Sequence, residues 1–160
     1  MALALIIAAL VVIIDQVSKL LIVQFGVDNT VVIPGLLNFV YSENDGMAWG
    51  LGSGFAWFFV VVTIVVSVFM IYLMTKKDFK SNLYFVAAGL IIGGGLGNMI
   101  DRIFRGFVVD FLSLSFFPPI CNLADYAITA GTICLIVFII FYYGKKKESS
   151  SEKISSEKES

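Results

Sequence analysis

The chain contains no histidine. That absence removes the Ser-His-Asp and Cys-His triads, the H-E-x-x-H zinc site and most other zinc sites built on imidazole. Cysteine occurs only at Cys121 and Cys134. If residues 121–134 were helical throughout, a rise of about 1.5 Å per residue would hold the two sulfurs roughly 20 Å apart, so no disulfide joins them. A Ser-Lys dyad would need Ser18 and Lys19, but adjacent residues on a helix diverge by about 100° and do not face each other. Gly52-Ser53-Gly54 is not a nucleophile elbow and has no base beside it; it reads as a turn. Charge is also scarce, at 14% of residues.

What fills the chain is apolar. Hydrophobic residues make up 59% of the 160, with a mean hydropathy of +0.94, far beyond a soluble globular domain. Crossing the hydrocarbon core takes about 20 apolar residues, and four windows qualify: Leu3 to Val23, Phe55 to Met74, Leu83 to Ile103 and Ala124 to Tyr143. The expected fold is therefore an α-helical membrane protein of four transmembrane helices, with residues 1–144 forming one membrane-embedded domain. The first window is no cleaved signal peptide, because it lacks a basic n-region, is too long, and carries Asp15 and Lys19.

Lys76, Lys77 and Lys80 follow the second window, and Lys145, Lys146 and Lys147 follow the fourth. Both clusters are expected in the cytoplasm, which puts both termini inside and the loops at about 24–54 and 104–123 outside. Arg102 and Arg105 oppose the charge rule and read as site residues whose cost Asp101 and Asp110 offset. In the first outer loop, Thr30–Ile33 and Leu36–Tyr41 flank Pro34-Gly35, which predicts a small extracytoplasmic β element between helices 1 and 2. In the second, Phe111–Phe116 alternates apolar and polar before Pro118-Pro119 stops it. Residues 145–160 have the Ser, Glu and Lys composition of a disordered cytoplasmic tail.

Gly89, Gly93 and Gly97 recur every fourth residue and form a smooth stripe for close helix packing. One turn on, Asn98, Asp101, Arg102 and Arg105 fall on one helix face. Asp15 and Lys19, at i and i+4 within the first span, read as a compensating intramembrane pair with Gln16 and Ser18 nearby. Asp101 beside the arginines reads as structural.

Two carboxylates remain as candidate acid and base. Asp110 lies in an apolar run and Asp125 opens the fourth span. Brought close together, they would share one proton, because like charges at short range do not both ionise easily. One would activate water while the other protonates a scissile carbonyl, with no metal or cofactor. Each has a structural alternative. Asn122 is a good N-cap with Asp125 in the first helical turn, and Asp110 fits a loop position or a partner for Arg102 or Arg105.

Taken in order, Asp15-Gln-Val-Ser-Lys19, Glu43-Asn-Asp-Gly-Met-Ala-Trp-Gly50, Gly97-Asn-Met-Ile-Asp-Arg102, Val108-Val-Asp-Phe111 and Asn122-Leu-Ala-Asp125 resemble the motif series of the bacterial lipoprotein signal peptidases, or signal peptidase II. The resemblance covers about residues 10 to 130. It implies an aspartic endopeptidase of the cytoplasmic membrane with its active site near the outer face. Such an enzyme removes signal peptides from diacylglyceryl-modified prolipoproteins, cutting just before the lipidated cysteine. It further implies Asp110 and Asp125 as the catalytic dyad, and Asn44, Gly46, Asn98, Arg102 and Asn122 as lining the substrate pocket. Inhibition by globomycin is implied as well. Asp15 and Lys19 fall on the first-span motif, and Cys121 stands where the family often has Phe. Prolipoprotein and membrane lipid are the expected partners, nucleic acid is not, and the chain is expected to be a monomer. Trp49 would clamp the peptide. Two rivals stand beside this reading: a four-span exporter in which Asp15 binds protons or cations, and a non-catalytic assembly factor for lipoproteins.

Overall fold

The computed structural model describes residues 1–46 and 54–158, with side chains described to residue 142. Its helices are α1 (Ala2–Gln24), α2 (Ala56–Met74), α3 (Asn82–Phe104) and α4 (Leu123–Lys158). All four contain a stretch long and apolar enough to span a membrane, Leu123–Tyr142 in the case of α4. The apolar runs thus mark the spans to within a residue or so at each end. Large side chains such as Leu10, Trp57, Val65 and Ile140 lie exposed on the bundle's outside, as expected where the surrounding solvent is lipid.

Helix α3 is the hub, packed against the other three helices. The glycine stripe lets α1 settle directly on its backbone. A Cβ built at Gly89 would lie 2.7 Å from the Ala4 carbonyl oxygen, at Gly93 2.8 Å from that of Ala8, and at Gly97 2.6 Å from Asp15 Oδ2. On the other flank a Cβ at Gly94 would lie 2.5 Å from the Ala124 carbonyl oxygen of α4. With no hydrophobic force between helices in lipid, such close approach supplies the dispersion contact that holds them. At the Lys76 end, α2 is fastened by the fully buried Tyr84, whose hydroxyl donates to the Met70 carbonyl at 3.0 Å.

Four antiparallel strands cap the opposite end in the order β1 (Thr30–Ile33), β2 (Leu37–Asn44), β3 (Val108–Leu114) and β4 (Phe117–Cys121). The β element is therefore larger than one loop's hairpin, because the strands of the second loop add to it through β2 and β3. Pro118 and Pro119 do not stop the strand pattern but lie within β4. An edge strand tolerates them because its outward N–H groups have no ladder partner to lose. Asp110 is reached through Gly106, which takes φ +84° just past the end of α3 and turns the chain into β3. Along β3 the side chains alternate: Val109 and Phe111 pack with Ile22 of α1, while Val108 and Asp110 face a cleft. Pairing with β2 slips between Phe39/Leu112 and Ser42/Asp110, a bulge beside Asp110. Bulges of this kind bend a strand and re-aim its side chains.

The backbone of α4 runs on as helix to Lys158, where composition alone reads as a disordered tail. Beyond Gly144 the tail contains neither glycine nor proline, and its Lys and Glu residues propagate a helix already started in the span. Cys121 ends β4 and Cys134 lies in α4; both are free thiols.

The stripe separates packing from helix propensity. Gly93→Ala and Gly95→Ala gain the same propensity, about 1 kcal/mol. The Cβ at Gly93 meets Ala8 backbone at 2.8 Å, whereas at Gly95 it meets only the Thr63 methyl at 3.0 Å. Against rigid backbone the overpacking lies toward the upper part of about 1–3 kcal/mol and exceeds that gain, so Gly93→Ala is expected to lower the melting temperature in detergent, by about 2–4 °C per kcal/mol of the difference. Gly95→Ala, where only the Thr63 side chain must give way, should leave it at or above wild type. Equal shifts would contradict this packing.

Candidate active site

Where the sheet meets the bundle, the geometry of a helix start puts one carboxylate in place. Asn122 precedes α4 and Asp125 sits in its first turn. The Asp125 N–H donates to Asn122 Oδ1 at 3.0 Å, and the Asn122 N–H donates to Asp125 Oδ2 at 3.1 Å. This reciprocal pair is a capping box, so the capping alternative for Asp125 is present in the structure. It leaves Asp125 Oδ1 free for Asn98 Nδ2, which donates at 2.8 Å. Capping consumes one oxygen of the carboxylate and orients the other.

Asp110, 2% exposed, takes its hydrogen bonds from amides. Asn122 Nδ2 donates to Oδ1 at 2.6 Å and Asn44 Nδ2 to Oδ2 at 2.8 Å. Burial pushes the Asp110 carboxyl up to about 6; the Asn44 and Asn122 donors work against that rise, while the neighbouring Asp125 charge adds to it. Asn98 and Asn122 join the two carboxylates, since Asn122 Nδ2 also donates to Asn98 Oδ1 at 3.0 Å. Asn44 is positioned at the end of β2, where its Oδ1 accepts the Gly46 N–H at 2.9 Å. The Gly46 carbonyl in turn accepts from Arg102 at 2.9 Å.

Arg102 departs from expectation. Asp101 and Asp110 do not pair with it; its guanidinium stacks on Phe59, 4.8 Å from the ring centroid, and donates to the Gly46 and Asn98 carbonyls. Its Nε is buried without a partner among the described residues. Arg105 does approach Asp101, at 3.5 Å, but the shorter bridge to Asp101 comes from Lys19 at 2.9 Å. Asp15 and Lys19 pair at 2.8 Å as expected, both fully buried. Lys19 also reaches Asn98 Oδ1 at 2.9 Å, which the sequence did not foretell.

Asp110, Asp125, Asn44, Gly46, Asn98 and Arg102 all line one cleft of about 630 Å³. Asn122 lies fully buried behind it. The cleft's remaining walls were not picked from the sequence: Phe59, Val62 and Thr63 of α2, Tyr126, Ile128 and Thr129 of α4, and Phe116, Phe117 and Ile120 at the β3–β4 turn. No motif marks them, because an apolar residue facing a cleft reads the same as one facing lipid. Cys121 also lines the cleft, and burial pushes its thiol up to about 11, with Asp125 and Asp110 adding to the rise. It stays protonated at neutral pH and is no nucleophile. Trp49 lies outside the described residues.

This site, at the mouth of a four-helix bundle under a sheet, can be compared with known proteins. The family model described as Signal peptidase (SPase) II matches residues 7–141. The chain belongs to the signal peptidase II family. A lipoprotein signal peptidase of Enterococcus faecalis is 42% identical over 138 residues, 84% of this chain and 85% of the relative. One of Staphylococcus aureus is 41% identical over 144 residues, 86% of this chain and 87% of the relative. A bacterial membrane enzyme solved by the in meso method at 2.3 Å superposes with a TM-score of 0.85 and 37% identity, covering 92% of this chain and 93% of that one. For this signal peptidase II family member, four spans and a small sheet are thus common ground with solved relatives.

Asp110 lies outside the spans, and its titration can be followed by infrared difference spectroscopy. The carbonyl stretch of its protonated carboxyl should disappear with a midpoint near 6 and be absent in Asp110→Asn. Removing a donor that favours the ionised form raises a carboxyl's pKa, so Asn44→Ala should move the midpoint upward. A midpoint near 4, or a downward move, would refute the described environment.

Proposed function

We propose that the chain is a lipoprotein signal peptidase that uses Asp110 and Asp125 as an acid/base pair. The supporting observation is that two carboxylates from separate elements, β3 and the first turn of α4, are linked by Asn98 and Asn122 at the polar end of an otherwise apolar cleft. A signal helix arriving sideways through the bilayer would enter between α2 and α4, whose apolar side chains suit both the helix and the acyl chains of a diacylglyceryl group. The lysine clusters after α2 and within α4 favour an orientation with the sheet and the cleft outside and both termini in the cytoplasm.

The roles follow from the surroundings. Asp125 sits in the first turn of α4, where the helix dipole favours negative charge, and accepts two N–H donors. It is the base that takes a proton from water as the water oxygen attacks the scissile carbonyl carbon. Asp110, raised by burial, is the acid that donates its proton to the carbonyl oxygen. Collapse of the resulting gem-diol returns a proton to the departing amide nitrogen and breaks the C–N bond just before the lipidated cysteine. Arg102, which lines the cleft and donates to the Gly46 carbonyl, holds a substrate carbonyl there.

The test is cleavage of a diacylglyceryl-modified prolipoprotein by the purified chain in detergent, with the products identified by mass. Asp110→Asn and Asp125→Asn preserve shape and remove acid/base function, so each folded variant should lose about 10²–10⁴ in rate. Globomycin should block the wild type. Full cleavage by either variant would remove that residue from the pair, and no cleavage by wild type would overturn the peptidase reading.

A further inference from the structure

Beneath the carboxylate pair lies a group of charges for which acid/base chemistry has no direct use. Lys19, Asp15 and Asp101 are all fully buried, and the Lys19 ammonium uses each of its three protons: on Asp15 Oδ2 at 2.8 Å, on Asp101 Oδ2 at 2.9 Å and on Asn98 Oδ1 at 2.9 Å. Stability alone is a weak reason to keep such a group, since apolar replacements of a buried ion pair are often neutral or stabilising. The third contact gives a different reason.

An ammonium only donates, so the Asn98 atom facing Lys19 must be oxygen. The same oxygen accepts from Asn122 Nδ2 at 3.0 Å. With the oxygen claimed from two sides, the Asn98 NH2 has one place to go, toward Asp125 Oδ1 at 2.8 Å. Turning the amide over would set its NH2 against the ammonium and the Asn122 NH2, and its oxygen against the Asp125 carboxylate. Asp15 acts from the other side: its Oδ1 accepts the Ala124 N–H at 3.0 Å, holding the same first turn of α4 that carries Asp125. Helix α1 therefore grips both the donor and the acceptor of the Asn98–Asp125 hydrogen bond without touching the cleft.

We infer that Lys19 is a positioning residue of the peptidase, which fixes the orientation of the Asn98 amide so that its NH2 is always presented to Asp125. This rests on the peptidase reading above. It assigns to the buried ion cluster a part in turnover distinct from holding the bundle together.

The test is a mutant cycle on cleavage of the lipid-modified prolipoprotein. Lys19→Met/Asp15→Asn removes one charge of each sign, leaves Asp101 with Arg105, and keeps an amide oxygen for the Ala124 N–H. In the wild-type background this pair should lower kcat by about tenfold or more, the range of a hydrogen bond to a charged group, with KM within about threefold. In an Asn98→Ala background the same pair should cost less than about twofold, because there is no amide left to orient. An equal loss in both backgrounds, or none in the first, would overturn the assignment. If the double variant does not fold, Lys19→Arg replaces it in the same cycle: the charge and both carboxylate partners remain, but the planar fork cannot place donors as the ammonium does. A chain that folds with neither replacement gives Lys19 a folding role and equally overturns the assignment. Wild-type protein that fails to cleave would sink the peptidase reading itself, whereas additive losses on an active wild type would sink only the positioning role.

Discussion

Every polar atom buried at the end of this bundle needs a partner, because neither lipid nor a packed helix face offers one. The Asn98 amide is where that requirement is met most densely. Its oxygen accepts from Lys19 and Asn122, its nitrogen donates to Asp125, and its backbone carbonyl accepts from Arg102. Through these contacts α1, α3 and the start of α4 are tied to one residue, and Arg102 extends the tie to the Gly46 carbonyl after β2. The glycine stripe is a precondition: only a bare α3 surface lets Asp15 come close enough to serve both Lys19 and the start of α4.

The family shown by the comparisons accounts for the bundle and the sheet, while the physical arguments account for how the carboxylates differ. Asp125 belongs to a helix start, with two N–H donors; Asp110 belongs to a strand, buried between amides beside a bulge. Burial pushes the Asp110 carboxyl up to about 6, the direction that the proposed role of acid requires.

Much of this was legible in the sequence. Hydropathy marked the spans, the i, i+4 spacing paired Asp15 with Lys19, and Asn122-Leu-Ala-Asp125 was readable as a cap. Two kinds of feature were not. The pairing of β2 with β3 joins loops separated by α2 and α3, and no local pattern encodes a partner that far away. Arg102 looked like an ion-pair residue because carboxylates neighbour it in sequence, yet in space it finds Phe59 and two carbonyls. Pro118-Pro119 misled for a related reason: a proline rule for strands depends on whether the strand is at an edge, and that is a property of the sheet.

The pairing of Asn44 with Val108 carries a consequence for the order of events during synthesis. Contacts between segments so far apart in the chain form late, after the entropy of closing the intervening loop has been spent. Asn44 and Asp110 meet only when two further spans have been inserted, and Asp125 joins them only once the last span has begun. A nascent chain in the membrane thus carries Asp110 without a second carboxylate until the final helix arrives and brings Asp125 with it.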